Sequence, residues 1–201
     1  MTPSARFTDA LVYATRLHAD QRRKGTAIPY VAHLLAVTAI VLEHGGGEDE
    51  AIAALLHDAV EDQGGAATRE AIRRWYGEAV VAIVDGCTDA ETIPKPPWRA
   101  RKEAYVAHLR HASPSVRLVS AADKLHNARS ILADYRQLGE ALWDRFTGGR
   151  DGTLWYYRAL VDALTAAGRT PLVDELERTV REVERLAGTA PSRSHPAPTP
   201  P

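Results

Sequence analysis

Through nearly the whole chain, apolar residues return at spacings of three and four, the repeat that lines one face of a helix. No segment keeps the alternation of β-branched residues that marks a strand. Phe7, Leu11, Ala14 and Leu17 form the first stripe and predict a helix over residues 7–18. Gly25 and Pro29 make residues 20–30 a loop. A second helix is expected over 30–44, stopped by Gly45-Gly46-Gly47, and a central one over 49–62. Thr68 reads as the N-cap of a helix with Ala71, Ile72 and Trp75 on its apolar face, and 78–85 as a short apolar helix. Residues 88–98 carry three prolines and predict a loop, followed by a helix over 98–109. Pro114 suits a helix start, and 116–138 can run as one long helix on Val116, Val119, Leu125, Ile131 and Leu132. A short segment over 140–146 and helices over 154–167 and 171–186 complete the pattern. The fold class is all-α, with about eight to ten helices in one domain over residues 1–188. Residues 189–201 turn to Pro, Ser and Thr, lack the apolar content to fold, and are expected to be a disordered tail.

One helix carries chemistry that its own pattern does not need. Ala53-Ala54-Leu55-Leu56-His57-Asp58-Ala59-Val60-Glu61-Asp62 is an Ala/Leu run that acquires four ionisable groups, with His57 over Glu61 and Asp58 over Asp62 at i,i+4. Burying them costs several kcal/mol each unless something compensates. Alone, the stretch is either a solvated acidic helix end before Gly64-Gly65 or one wall of a cation site.

Composition narrows the field. Of 201 residues, 45% are hydrophobic and 25% charged, an ordinary globular balance, and the formal net charge of −1 argues against a large nucleic-acid footprint. Cys87 is the only cysteine, which excludes an intramolecular disulfide and a cysteine-based zinc site and reads as a small buried residue. No apolar run approaches the roughly 20 residues of a membrane span, and the N-terminus lacks a signal-peptide core, so a cytoplasmic protein with no membrane partner is expected. Monomer and homo-oligomer both stay open.

The adjacent His57-Asp58 is the signature of HD-domain metal-dependent phosphohydrolases, and longer motifs narrow the match. Arg23-Lys24 with Pro29-Tyr30-Val31-Ala32-His33, then Ala54 through Asp62, then Tyr76-Gly77-Glu78-Ala79-Val80 leading to Thr88-Asp89, then Ala122-Asp123-Lys124-Leu125-His126-Asn127-Ala128-Arg129-Ser130 occur in one order over about residues 7–132. In them the chain resembles the hydrolase domain of the RelA/SpoT homologues, and most of all their short stand-alone relatives. The resemblance implies a helical bundle around a single metal site and hydrolysis of guanosine 3′-pyrophosphate alarmones to GDP or GTP plus pyrophosphate. By matching position, His33, His57, Asp58 and Asp123 would bind the metal, implied to be Mn²⁺. Two imidazoles and two carboxylates also suit Fe²⁺, Co²⁺ or Zn²⁺. Glu61 and Asp62 would act on the nucleophilic water, with Glu61 as general base. Arg23 and Lys24 match the substrate-binding pair, and Asn127 and Ser130, at i+4 and i+7 from Asp123, match positions near the nucleoside. Lys95, with Arg101 and Lys102, is placed to meet the pyrophosphate, and Tyr156 or Tyr157 to line the pocket. The remaining histidines, among them His18 and His126, lack this context.

Leu34 stands where the family usually has Pro, and Gln63 where it often has Thr, so the chain reads as a divergent branch. The expected partner is a small guanine nucleotide. Alternatives on the same scaffold are a nucleotidase, an NADPH 2′-phosphatase and a non-catalytic module that senses a nucleotide.

Overall fold

A computed structural model describes residues 3–89 and 94–189. The expectation of an all-α fold holds: the described residues contain no strand, only an isolated bridge between Arg22 and Pro29 that pins the loop before the second helix. The expected tail over 189–201 falls, from residue 190, outside the described residues. No described helix is long and apolar enough to cross a membrane.

The core is built round the helix α3 (Glu48–Leu56). Ala51 to Leu56 are all fully buried, because α3 is covered by α1 (Ala5–Leu17), α2 (Val31–Glu43), α5 (Gly65–Cys87) and α7 (Pro114–Leu138). A helix apolar on every side is stable only in such a place, and its alanines let the neighbours approach closely. α7 spans the molecule. Ser113 caps it through Val116 N–H, and Pro114 occupies its first turn. It packs on α2, α3 and α5 along one side and on α9 (Pro171–Thr189) along another. α6 (Trp98–Leu109) lies on α8 (Gly149–Ala167). A 3-10 segment (Gly139–Arg145) closes a second apolar cluster of Tyr135, Leu142, Trp143 and Val183.

Four expectations need correcting. The central helix is not continuous to Asp62: α3 stops at Leu56, Asp58 turns to φ −100°, ψ −2°, and a single turn, α4 (Ala59–Asp62), resumes. Thr68 is not a cap. It is buried inside α5, which starts at Gly65, and its hydroxyl donates to the Gln63 carbonyl. Trp75 does not face the core. It is 53% exposed, edge-on to Tyr13 at 4.9 Å. The helix expected from 154 starts at Gly149, because Gly148 and Gly152 seat an indole rather than break the chain: a Cβ on Gly148 would lie 2.6 Å from the Trp98 ring. The two helical runs expected across 68–85 are both present within α5: they meet without a loop at Gly77, whose non-helical φ of +89° and ψ of 173° glycine adopts without strain.

Candidate active site

Three helical segments bring the four expected metal ligands together: donor atoms of His33, His57 and Asp58 lie within 4.8 Å of one another, and Asp123 approaches both imidazoles. His33 comes from the first turn of α2, His57 and Asp58 from the break after α3, and Asp123 from the middle of α7. Neighbouring side chains on a regular helix diverge by about 100°. The break at Asp58 removes that divergence, and His57 Nε2 lies 3.0 Å from Asp58 Oδ2. His33 Nε2 is 3.2 Å from Asp123 Oδ1 and 3.7 Å from Asp58 Oδ2, and His57 Nε2 is 3.7 Å from Asp123 Oδ1. Both histidines are almost fully buried.

The second atoms of these ligands are already occupied. His57 Nδ1 donates to the Ala54 carbonyl at 2.8 Å, which turns Nε2 toward the carboxylates, and that buried atom makes no hydrogen bond. His33 Nδ1 pairs with His126 Nδ1 at 2.8 Å. Burial, with His33 and Arg23 nearby, pushes His126 down to about 4, so it is neutral and accepts the His33 proton. The Tyr30 hydroxyl donates to Asp58 Oδ2, and Lys124 Nζ donates to Asp123 Oδ2 at 2.6 Å. Burial alone would raise Asp58 and Asp123, but the imidazoles, and for Asp123 the Lys124 ammonium, outweigh it and hold both carboxyls well below the usual range. Burial alone would lower His57, but Asp58 and Asp123 outweigh it and raise the ring well above its ordinary value. Two imidazole nitrogens facing two carboxylates, with His57 Nε2 buried and without a hydrogen bond, fit a divalent cation, whose charge would stand where that proton does, by the chemistry of the donor set.

Glu61 and Asp62 flank this centre. Glu61 Oε1 accepts from Lys95 Nζ at 2.7 Å, and burial raises Glu61 above its ordinary value while Lys95 opposes the rise. Asp62 is raised too, by burial and by Asp58, against a hydrogen bond from Gln21 Nε2 at 2.8 Å. Gln21 in turn accepts from His18 Nδ1 at 2.6 Å, and the buried His18 ring stacks on Tyr30.

A cleft of about 640 Å³ opens from the centre, lined by Arg23, Lys24, Asn127, Ser130 and both Tyr156 and Tyr157. Arg23 donates to Asn127 Oδ1 at 2.7 Å, and Asn127 donates to Asp123, which strings the basic loop to the metal-facing helix. The Tyr156 hydroxyl is buried without a partner. Lys102 also lines the cleft, bonded to Asp89. Arg101 is held on Asp89 at 2.6 Å and does not line it.

Sequence reasoning missed Tyr30, His126, Gln21, His18 and Lys124. Two had a legible signal: Tyr30 precedes His33 by one turn, and His126 follows Asp123 at i+3, which puts each beside a ligand. His18 and Gln21 had none, since only the loop's path brings them to Asp62.

The fold and this centre define a class, and comparison agrees: the chain belongs to the HD domain family, whose model matches residues 10–154. It shares 40% identity over 131 residues with the guanosine-3′,5′-bis(diphosphate) 3′-pyrophosphohydrolase of Xenopus tropicalis, covering 64% of this chain and 70% of that protein. The Homo sapiens protein of that name is 37% identical over the same coverage. Among solved structures, a metazoan ortholog of SpoT described as hydrolysing ppGpp superposes with a TM-score of 0.73 at 28% identity, over 94% of this chain and 98% of that one. A Listeria monocytogenes protein gives 0.65 at 28% identity, over 78% and 99%.

Proposed function

We propose that the protein is a metal-dependent hydrolase that releases pyrophosphate from the 3′ side of guanosine 3′,5′-bis(diphosphate) and its 5′-triphosphate analogue. The observation that carries this reading is the set of His33 and His57 with Asp58 and Asp123 against them, beside two raised carboxyls, in a chain 40% identical over 131 residues to a 3′-pyrophosphohydrolase. His33 Nε2, His57 Nε2 and one oxygen each of Asp58 and Asp123 would hold the ion, with Mn²⁺ preferred. When bound, such an ion supplies a Lewis acid for a phosphoryl oxygen and acidifies water.

The chain's own groups do the rest. Tyr30 and Lys124 occupy the second carboxylate oxygens and fix the orientation of Asp58 and Asp123. Glu61 is the general base: partial burial brings it closer to neutral pH, which favours proton transfer, while Lys95 keeps it ionised. It takes a proton as water oxygen bonds to the phosphorus next to O3′. The O3′–P bond breaks, the nucleoside oxygen is protonated, and pyrophosphate leaves. Asp62, anchored by Gln21, orients the water. Arg23, Asn127, Ser130 and Tyr156 receive the nucleoside, Lys24 a phosphate of the same ligand, and Lys95 the pyrophosphate once it exchanges its bond to Glu61.

Metal-stripped protein reloaded with Mn²⁺ should convert ppGpp to GDP and pppGpp to GTP, each with stoichiometric pyrophosphate by chromatography. Orthophosphate from NADPH or dAMP instead would replace the substrate and keep the hydrolase. No turnover of any of the four with Mn²⁺ bound would overturn the enzymatic reading in favour of a nucleotide sensor.

A further inference from the structure

Resting on the nucleotide reading above, we infer that Arg145 is a specificity-determining residue: with Lys24 it forms a second anion subsite, at the end of the cleft remote from the metal ligands, for the 5′-phosphate chain. The two ends of the cleft differ in how their cations are used. Near the metal ligands, Lys95, Lys102 and Lys124 are each held by a carboxylate, of Glu61, Asp89 and Asp123 respectively. At the far end, Asp134 follows Asp123 by eleven residues on α7, a rise of about 16 Å. Arg145 comes in there from the 3-10 segment and puts Nη1 3.0 Å from Asp134 Oδ2. No other partner holds its guanidinium among the described residues.

The chain is shaped to receive this side chain. A Cβ on Gly25 would stand 2.9 Å from Arg145 Cδ and Nε, and Gly25 has φ +71°, so glycine serves both the turn and the close approach. Arg145 therefore lies across the turn that carries Arg23 and Lys24, a turn closed by Thr26 N–H on the Arg23 carbonyl at 3.0 Å. Arg23 is engaged only by the neutral Asn127 amide and the Tyr30 ring, and Lys24 has no hydrogen bond or ion pair among the described residues. Three cations face one carboxylate. That surplus suits a ligand with anionic groups at both ends and a nucleoside between. With the 3′ phosphorus at the metal ligands, the 5′ chain is the group left to meet Arg145. A planar guanidinium that spends one nitrogen on Asp134 keeps further donors in the fork geometry that suits phosphate.

The test uses Mn²⁺-loaded full-length protein and two substrates, ppGpp and guanosine 3′-diphosphate with a free 5′-hydroxyl. Arg145→Gln should raise KM for ppGpp about tenfold, the worth of a partly exposed charge-assisted hydrogen bond, with kcat within about twofold. It should leave KM for the 5′-hydroxyl substrate unchanged, and Arg145→Lys, keeping the charge, should recover part of the loss. Equal effects of Arg145→Gln on both substrates, or none on either, would overturn the assignment and leave Arg145 a support for the Gly25 turn. If wild-type protein turns over neither substrate, the hydrolase reading fails by itself. The subsite is then read from equilibrium binding of GDP against guanosine: selective loss of GDP affinity in Arg145→Gln supports it, and equal loss overturns it.

Discussion

A metal-binding imidazole works only if its second nitrogen has somewhere to place its proton. His57 uses a main-chain carbonyl, whereas His33 uses another imidazole, His126, a softer acceptor than the usual carboxylate. His126→Leu should weaken Mn²⁺ binding by about 10–100-fold, and His126→Gln, whose amide oxygen can accept the same proton, should restore most of it. Titration calorimetry of the two variants checks this, and equal affinities would remove His126 from the site's support. Glu61 gives two further outcomes. Glu61→Gln should keep metal and lose roughly 10²–10⁴ in kcat, so near wild-type turnover would mean another base. Because Lys95 lowers Glu61's proton affinity against burial, Lys95→Met should let Glu61 hold its proton to higher pH. The acid limb of kcat/KM then moves upward, read from the pH–rate profile. A limb that stays in place would separate Lys95 from the base.

At the scale of elements, the decisive features are interruptions. The break between α3 and α4 turns two sequence neighbours into two convergent ligands, and the Gly148–Gly152 start of α8 is a seat for Trp98. Trp98 lines the cleft and ends the loop that carries Lys95. Gly148 has an ordinary φ of −78°, so Gly148→Ala tests packing without backbone strain. The added methyl must displace the indole, and the expected loss is about 1–3 kcal/mol, seen in denaturant unfolding together with a change in tryptophan emission. Gly152→Ala, whose Cβ would meet the ring at 3.2 Å, should cost less. Equal stability of Gly148→Ala and wild type would show that the seat is not filled in solution. Helix extents were legible for α2, α6 and α7, whose apolar repeats run unbroken to a Gly or Pro stop. The start of α8 was not, because glycines that make room for a ring look the same in sequence as glycines that end a helix.

For the whole molecule, the four metal ligands tie segments ninety residues apart in the chain, from His33 on α2 to Asp123 on α7. A bound ion therefore cross-links the bundle. At a hundredfold excess over Kd it stabilises by about 2.7 kcal/mol, which for a domain of this size raises Tm by roughly 5–10 °C. EDTA should remove that increment, and Asp123→Ala should show no metal-dependent shift, both by calorimetry. A shift that persists in Asp123→Ala would place the ion elsewhere.

The sequence by itself determined the all-α class, most helix boundaries and the residue types of the site. Helical periodicity and short motifs are local properties, read within a few turns. Tertiary structure alone decided which faces are buried, leaving Trp75 on the surface and Thr68 in the interior. It alone joined His126 to His33 and Arg145 to Gly25, since neither partner's direction is written in its own segment. Side-chain direction across a bundle depends on how helices cross and where one breaks, and those are set by packing among distant residues rather than by the pattern of any one stretch.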